Sequence, residues 1–406
     1  MRGHSSGETE LKRFAISVDT GGTFTDFVLL DRERGSITTS KVLTTPSAPD
    51  DAIFQGFDQL AAAAEFDLVH CDTFLHATTL ITNAVIERKG QDFILLYTEG
   101  FGTMLETGRE HRYNLSDLRL SFPEPITRNQ LKIAVRERVL ADGTVHKAPE
   151  RESVISRVRA LVDETGIANF AVCFLHSFRN PANEDAVAAW LTEAHPEAFI
   201  SVSHVVAPLQ REYERWLTCA VNAYTKPMLS LYVRRIQRRA RERGFGGRMM
   251  LMTSSGLPLP VEHCVELPVR LIESGPAAGV LAAREIAARN CYGDGKAGTV
   301  LAYDMGGTTA KGSFLVDGRV EVKSGLEVAR EGAFAVGSGF PLYIPATDLI
   351  EIGAGGGSIA EIDDRGTIAV GPRSAGAKPG PACYDQGGES ATATDAWIAR
   401  RGELSQ

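Results

Sequence analysis

The six cysteines, Cys71, Cys173, Cys219, Cys264, Cys291 and Cys383, never fall into a C-x-x-C pair. Zinc centres and disulfide frameworks draw on closely spaced thiols, so their absence reads as buried or incidental cysteines in a reducing cytoplasm. The nine histidines show no H-E-x-x-H or comparable ligand spacing. No apolar run approaches the roughly 18 residues a membrane helix needs. The longest near-candidate, Ile167 to Leu175, is broken by Asn169 and is strand-sized. Positive charge is also in short supply: 43 Lys and Arg against 51 Asp and Glu leave a formal net charge of -8. Nucleic acid is therefore not an expected partner, because phosphate backbones need clustered cations.

Residues 1–13 begin MRGHSSGETELK, lack the apolar stretch of a secretory signal, and read as a frayed tail. No G-x-x-x-x-G-K-[ST] occurs, which removes the P-loop, and the G-x-S-x-G match at Gly3, Ser5 and Gly7 lies in the polar tail, not at the strand-to-helix turn a serine-nucleophile elbow needs. One G-x-G-x-x-G match, at Gly293, Gly295 and Gly298, lies in a polar loop ahead of a strand, the wrong context for a dinucleotide fingerprint.

What is present is a composition ordinary for a globular protein, 43% hydrophobic and 23% charged over 406 residues, enough for two or three domains. It also contains a long-range repeat. FAISVDTGGTFTDFVLLD reads as a strand over Phe14–Val18, a turn opened by Asp19, and a second strand over Phe27–Leu30. TVLAYDMGGTTAKGSFLVDGRVEV repeats the plan: a strand over Thr299–Tyr303, a turn opened by Asp304, a strand over Lys311–Val316 and a hairpin at Asp317-Gly318. Paired glycines at such a turn allow positive φ and close approach of a ligand to the backbone. Successive N–H groups there form an anion-binding concavity. Gly21, Gly22, Thr23, Gly306, Gly307 and Thr308 are accordingly expected to cradle phosphate. Asp19 and Asp304 repel phosphate unless Mg²⁺ lies between, directly or through its waters.

Strand and helix signals alternate between the two copies, which indicates an α/β fold. Helices are expected over Asp50–Glu65, Thr79–Lys89, Glu150–Glu164, Asn183–His195, Pro208–Thr225 and Met228–Arg243, the last with a solvated arginine-rich face. In VRLIESGPAAGVLAAREIAARN a strand is expected to end at Glu273, with Ser274 capping a small-residue helix. IEIGAGGGSIAEID places Gly353, Gly355, Gly356 and Gly357 after a strand, a loop suited to a purine or ribose or simply a flexible one.

Together these segments resemble the actin, hexokinase and Hsp70 superfamily of ATPases, whose two ribonuclease-H-like lobes close on a nucleotide. A closer resemblance, carried by VDTGGTFTD, HATTLITNAVIERKG, YTEGFGTMLETGRE, LQREYERWLT, IESGPAAG, DMGGTTAK, IGAGGGSIA and PRSAGAKPGPACY, is to the hydantoinase A / 5-oxoprolinase family, which includes the ATP-using subunits of acetone and acetophenone carboxylases. The resemblance runs from about Phe14 to Asp395 and implies a two-lobed α/β ATPase fold, with lobes over 14–205 and 206–406. Chains of the family usually continue past TATDAW, so the second lobe is expected to be incomplete.

The implied activity is ATP-dependent opening of a cyclic amide (a hydantoin or 5-oxoproline), with ketone carboxylation as the alternative. A nucleotide-binding module without turnover of its own is a third reading. ATP, Mg²⁺ and a hydantoinase B-type partner subunit are implied with it. Asp19 and Asp304 are assigned to Mg²⁺-water positioning, and Gly355 and Gly356 to the nucleotide. Lys311 is either a cationic phosphate partner or a surface lysine. His76, Thr78, Thr79, Asn83, Arg109 and Glu273 are candidates for the substrate pocket; Arg211 and Glu212 are weaker ones, and helix capping or ion pairing is the competing account.

Overall fold

The computed structural model describes residues 12–22, 24–45, 48–110, 112–120, 122–290, 298–307, 309–330, 335–376 and 378–401. Thr23, Thr308 and Cys291 lie outside the described residues. In the first copy of the repeat, Phe14–Thr20 pairs antiparallel with Phe24–Asp31, which pairs in turn with Ser36–Leu43. On its other edge Phe14–Thr20 runs parallel to Cys71–Thr78, so it lies inside a six-stranded sheet. Alternation decides which face is buried: Phe14, Ile16 and Val18 point into the core and Asp19 comes out at the end. Helix Pro49–Ala64 covers that core with Phe54 and Phe57; the Phe57 ring meets Phe54, Phe27, Phe66 and Phe74 edge to face. Each such ring contributes roughly 1.5–3 kcal/mol through burial alone.

A second sheet, all parallel, runs Phe199–Val202, Asn169–Cys173, Ile94–Thr98 and Lys132–Val135, with helices Arg151–Thr165 and Ala182–Ala194 packed against it. Its apolar core is separate from the first. One helix, Glu212–Glu242, joins the two sheets. The sequence suggested two helices there, broken before Met228. The chain instead passes straight through Pro227, because most of the helix is buried and its backbone finds other partners. Its arginines are not merely solvated. Arg235 and Arg239 pair with Asp50, and Arg243 with Asp58, tying this helix to Pro49–Ala64.

Strands Arg248–Met252 and Pro258–Pro260 then return to the first sheet, Arg248–Met252 running parallel to Cys71–Thr78 and burying Leu251. Residues beyond 206 thus add strands to the first sheet. Helix Ser274–Asn290 follows and packs on strands of both halves. Beyond it, Thr299–Met305 and Ala310–Val316 form the second copy of the hairpin, with Ile350–Ile352 added to Ala310–Val316. Thr299–Met305 has no strand on its outer edge among the described residues, unlike Phe14–Thr20. Cys71, Cys173, Cys219 and Cys264 are free and buried.

Candidate functional site

The two Asp-x-Gly-Gly turns close alike. Gly21 donates its N–H to Phe24 O at 2.9 Å, and Gly306 donates to Thr309 O at 2.9 Å. Contrary to the sequence expectation, none of Gly21, Gly22, Gly306 and Gly307 has a left-handed φ. Nor does packing demand the second glycine of either turn. A Cβ on Gly22 would come no nearer than 3.9 Å to Asn83 Nδ2, and one on Gly307 would meet nothing within 4 Å. The space kept clear at both positions faces away from protein, as a ligand cradle requires.

Asp19 and Asp304 end corresponding strands and lie close enough to interact. Asp19 is open to solvent on one side, yet protein crowds it from the others. That desolvation raises its pKa, and the charges of Asp26 and Asp304 push the same way, with Lys41 opposing. The start of helix Ser274–Asn290 reaches the same place: a Cβ on Gly275 would sit 3.8 Å from Asp19 Oδ2. Ser274 does not cap as expected; its hydroxyl is buried without a hydrogen-bond partner among the described residues.

Glu273 ends no strand. It follows the short 3₁₀ turn Pro268–Leu271 and holds φ at 62°, left-handed and strained for a side chain of its size. Its N–H donates to Thr82 Oγ1 at 3.1 Å, and its carboxylate receives the Lys311 ammonium. Lys311 is neither a surface lysine nor a free cation. It stands directly across from Asp304 on one side and Glu351 on the other, and Glu351 Oε1 lies 3.7 Å from its Nζ. Glu351, raised in pKa first by burial, was not singled out from sequence. Its signal was a lone charge between Ile350 and Ile352 in an apolar strand.

The glycine-rich loop docks onto the second turn. Gly356 donates to Gly306 O at 2.9 Å and Gly357 to Gly307 O at 2.6 Å. A Cβ on Gly357 would stand 3.0 Å from Gly307 O, so glycine here permits backbone-to-backbone contact. Gly355 N–H is held by Ser358 Oγ at 2.8 Å. These three donors are thus committed inside the protein, and the loop offers a ligand its Cα surface, not its N–H groups.

Of the expected pocket residues, Thr78, Thr79 and Asn83 line a cavity of about 370 Å³ with Gly21 and Gly22. His76 does not. It is wholly buried, with Nδ1 against Val18 O at 3.1 Å and Nε2 against Tyr232 Oη at 2.9 Å, and burial lowers its pKa to about 4. Arg109 lies elsewhere, paired with the buried Glu214. Glu212 pairs with Arg215. Among the described residues no three His, Cys, Asp or Glu side chains converge to hold a metal ion. Two carboxylates facing a cradle fit a Mg²⁺ whose other ligands are water and phosphate oxygens.

Family models described as "Hydantoinase/oxoprolinase N-terminal region" and "Hydantoinase/oxoprolinase" match residues 15–195 and 215–400. The chain belongs to the hydantoinase/oxoprolinase family. Caprolactamase subunit alpha of Pseudomonas jessenii is 33% identical over 96% of this chain and 54% of its own. Acetophenone carboxylase gamma subunit of Aromatoleum aromaticum is 31% identical over 94% of this chain and 52% of its own. The solved ATP-dependent caprolactamase of Pseudomonas jessenii superposes with a TM-score of 0.82 at 32% identity, covering 97% of this chain and 55% of that one. This member of the hydantoinase/oxoprolinase family thus has the two-lobed α/β ATPase-like fold and spans about half the length of these relatives. No helix among its described residues is long and apolar enough to cross a membrane.

Proposed function

We propose that this chain is the ATP-using part of a cytoplasmic enzyme that opens a cyclic amide, acting with a hydantoinase B-type partner. The observation that carries the reading is the pair of Asp-x-Gly-Gly turns, Asp19 and Asp304 electrostatically coupled, with space kept clear at Gly22 and Gly307. Gly21, Gly22, Gly306 and Gly307 cradle the phosphates. Asp19 and Asp304 would hold Mg²⁺, which would supply charge neutralisation at the phosphates. Lys311 acts indirectly: held by Glu273 and Glu351, it sets the hairpin beside helix Ser274–Asn290 and balances the carboxylates there. The amide sits in the cavity of Thr78, Thr79 and Asn83, beside the first turn.

An amide carbonyl resists attack because nitrogen donates into it. Transfer of the γ-phosphoryl to the carbonyl oxygen ends that donation and releases ADP. Water then adds to the carbon, the ring C–N bond breaks as the proton passes to nitrogen and leaves an acyl phosphate, and a second water releases phosphate and the free carboxylate. Positioning by the two turns is the chain's own contribution. Similarity to the acetophenone carboxylase gamma subunit supports a second reading, in which the activated oxygen belongs to a ketone and a carbon nucleophile is carboxylated.

The test is ADP release from the chain with Mg²⁺, hydantoins, lactams, 5-oxoproline and ketones, each with and without a B-type subunit. Asp19→Asn and Asp304→Asn are each expected to lower turnover about a hundredfold, the scale of a lost charge-positioning group. Undiminished turnover in both variants overturns the site. Appearance of a new carboxylate from bicarbonate, instead of ring-opened acid, selects the carboxylase reading.

A further inference from the structure

Residues directly opposite each other on neighbouring strands share a face, so each copy of the hairpin sets out a row of charges. In the second copy the row is Asp304, Lys311 and Glu351. In the first it is Asp19, Asp26 and Lys41, read across Phe14–Thr20, Phe24–Asp31 and Ser36–Leu43. Both rows start on the aspartate that opens a glycine turn, and each contains one lysine. What holds the lysines differs. Lys311 is 17% exposed, in contact with Glu273 and 3.7 Å from Glu351. Lys41 is 55% exposed and pairs, among the described residues, with Asp26 alone, at 2.7 Å.

The Lys41 ammonium also stands over the Phe24 ring, 4.7 Å from its centre. Phe24 is the residue whose carbonyl closes the first glycine turn by accepting the Gly21 N–H. Lys41 therefore lies beside the cradle, near enough for its charge to oppose the rise in the Asp19 pKa. Asp19, Asp26, Asp304, Glu273 and Glu351 outnumber the lysines of the two rows, so a polyphosphate meets an excess of like charge here. In ATP-using sites the metal bridges the two terminal phosphates. The cation in the row of Asp19, which would hold that metal, is Lys41. An ion pair as exposed as Lys41 with Asp26 is held weakly and exchanges readily for a phosphate, which lysine binds as a point charge.

We propose that Lys41 is a phosphate-binding residue of the cleft: its ammonium passes from Asp26 to the terminal phosphates of the nucleotide, and Asp26 is the latch that holds it until then. The proposal rests on the reading of the two turns as an ATP cleft. It adds a residue on the third strand of the first hairpin, where no turn motif points. Lys311, enclosed by two glutamates, is not free to play the same part.

Calorimetric titration of the full chain with Mg²⁺ and a non-hydrolysable ATP analogue tests it, with AMP as the ligand that lacks the terminal phosphates. Lys41→Gln is expected to weaken the analogue about tenfold, the scale of one charge-assisted hydrogen bond, and to leave AMP as in wild type. Lys41→Arg keeps the charge and should stay within about threefold of wild type. Asp26→Asn removes the latch and a repelling charge, and should bind the analogue about threefold more tightly. A pair that serves only the fold would instead lose affinity in both Lys41→Gln and Asp26→Asn, for AMP as much as for the analogue. Wild-type affinity for the analogue in Lys41→Gln, an equal loss on AMP, or weaker binding in Asp26→Asn overturns the proposal and leaves the cleft standing. No binding of the analogue by the wild-type chain overturns the cleft, and the proposal with it.

Discussion

Asp19 holds its charge where the apo fold would do better without it. Burial and the charges of Asp26 and Asp304 raise its pKa above the usual carboxylate value. A carboxyl raised in the folded state favours folding at low pH, and that contribution is lost as pH rises through its folded pKa. At neutral pH the ionised group is therefore destabilising. Asp19→Asn is expected to melt higher than wild type at pH 7 without ligand, the gap closing toward pH 3. Mg²⁺ with nucleotide should reverse the order, since only wild type keeps the charge a cation rewards. A lower melting temperature for Asp19→Asn at pH 7 would count against this account.

His76 works in the other direction. Its folded pKa of about 4, against 6.5 when exposed, means the unfolded chain binds the proton first as pH falls. Stability from neutral His76 is complete above pH 6.5 and drains away toward pH 4, by up to about 3 kcal/mol. Urea unfolding of His76→Gln across that window should show a flatter pH dependence than wild type. In sequence His76 shares a strand-to-helix junction with Thr78, Thr79 and Asn83. Alternation along the strand turns it inward, where Val18 O and Tyr232 Oη take both ring nitrogens. A partner 156 residues away is invisible to local pattern.

At the scale of elements, the long helix shows why boundaries are harder to read than hairpins. Pro227 cannot donate to Ala223 O, and a proline inside a helix normally ends it. Here Asn169 Nδ2 donates to Ala223 O at 2.9 Å, and Gln91 N–H takes Tyr224 O at 2.8 Å. The stranded carbonyls are met from the neighbouring sheet and loop, and the helix continues. Asn169→Ala should cost about 1–3 kcal/mol in wild type, the range for a buried acceptor left without its donor. In a Pro227→Ala background the restored N–H replaces the donor and the cost should shrink by about 1 kcal/mol. Equal costs in the two backgrounds would show that Pro227 and Asn169 are uncoupled. The hairpins were legible because Asp-x-Gly-Gly states a turn, a charge and a strand end within four residues. Lys311, by contrast, was ambiguous until Glu273 and Glu351 were placed around it by two separate segments.

Across the whole molecule, the two hairpins are alike in sequence and unlike in setting. Phe14–Thr20 has strands on both edges and helices over its core, whereas Thr299–Met305 has a free outer edge among the described residues. Register places Leu301 opposite Phe314, and Tyr303 in a row with Gly312 and Ile350, on one face of that sheet. Leu301, Tyr303, Met305, Phe314, Val316, Ile350 and Ile352 are each about half exposed. The opposite face carries Asp304, Lys311 and Glu351 toward the cleft and packs Ala302 and Leu315 on helix Ser274–Asn290. A continuous apolar face beside an unpaired strand edge invites association, whatever the cleft does. Leu301→Lys with Phe314→Glu places opposite charges in a directly facing pair, which a sheet tolerates. In sedimentation over about a tenfold concentration range, the wild-type chain should gain apparent mass and the double variant should not, since its apolar patch is broken. Nucleotide affinity should be the same in both, because the altered side chains stand on the face away from Asp304. If wild type and variant sediment alike, this face does not govern association; if nucleotide affinity falls with the substitutions, the two faces are not independent.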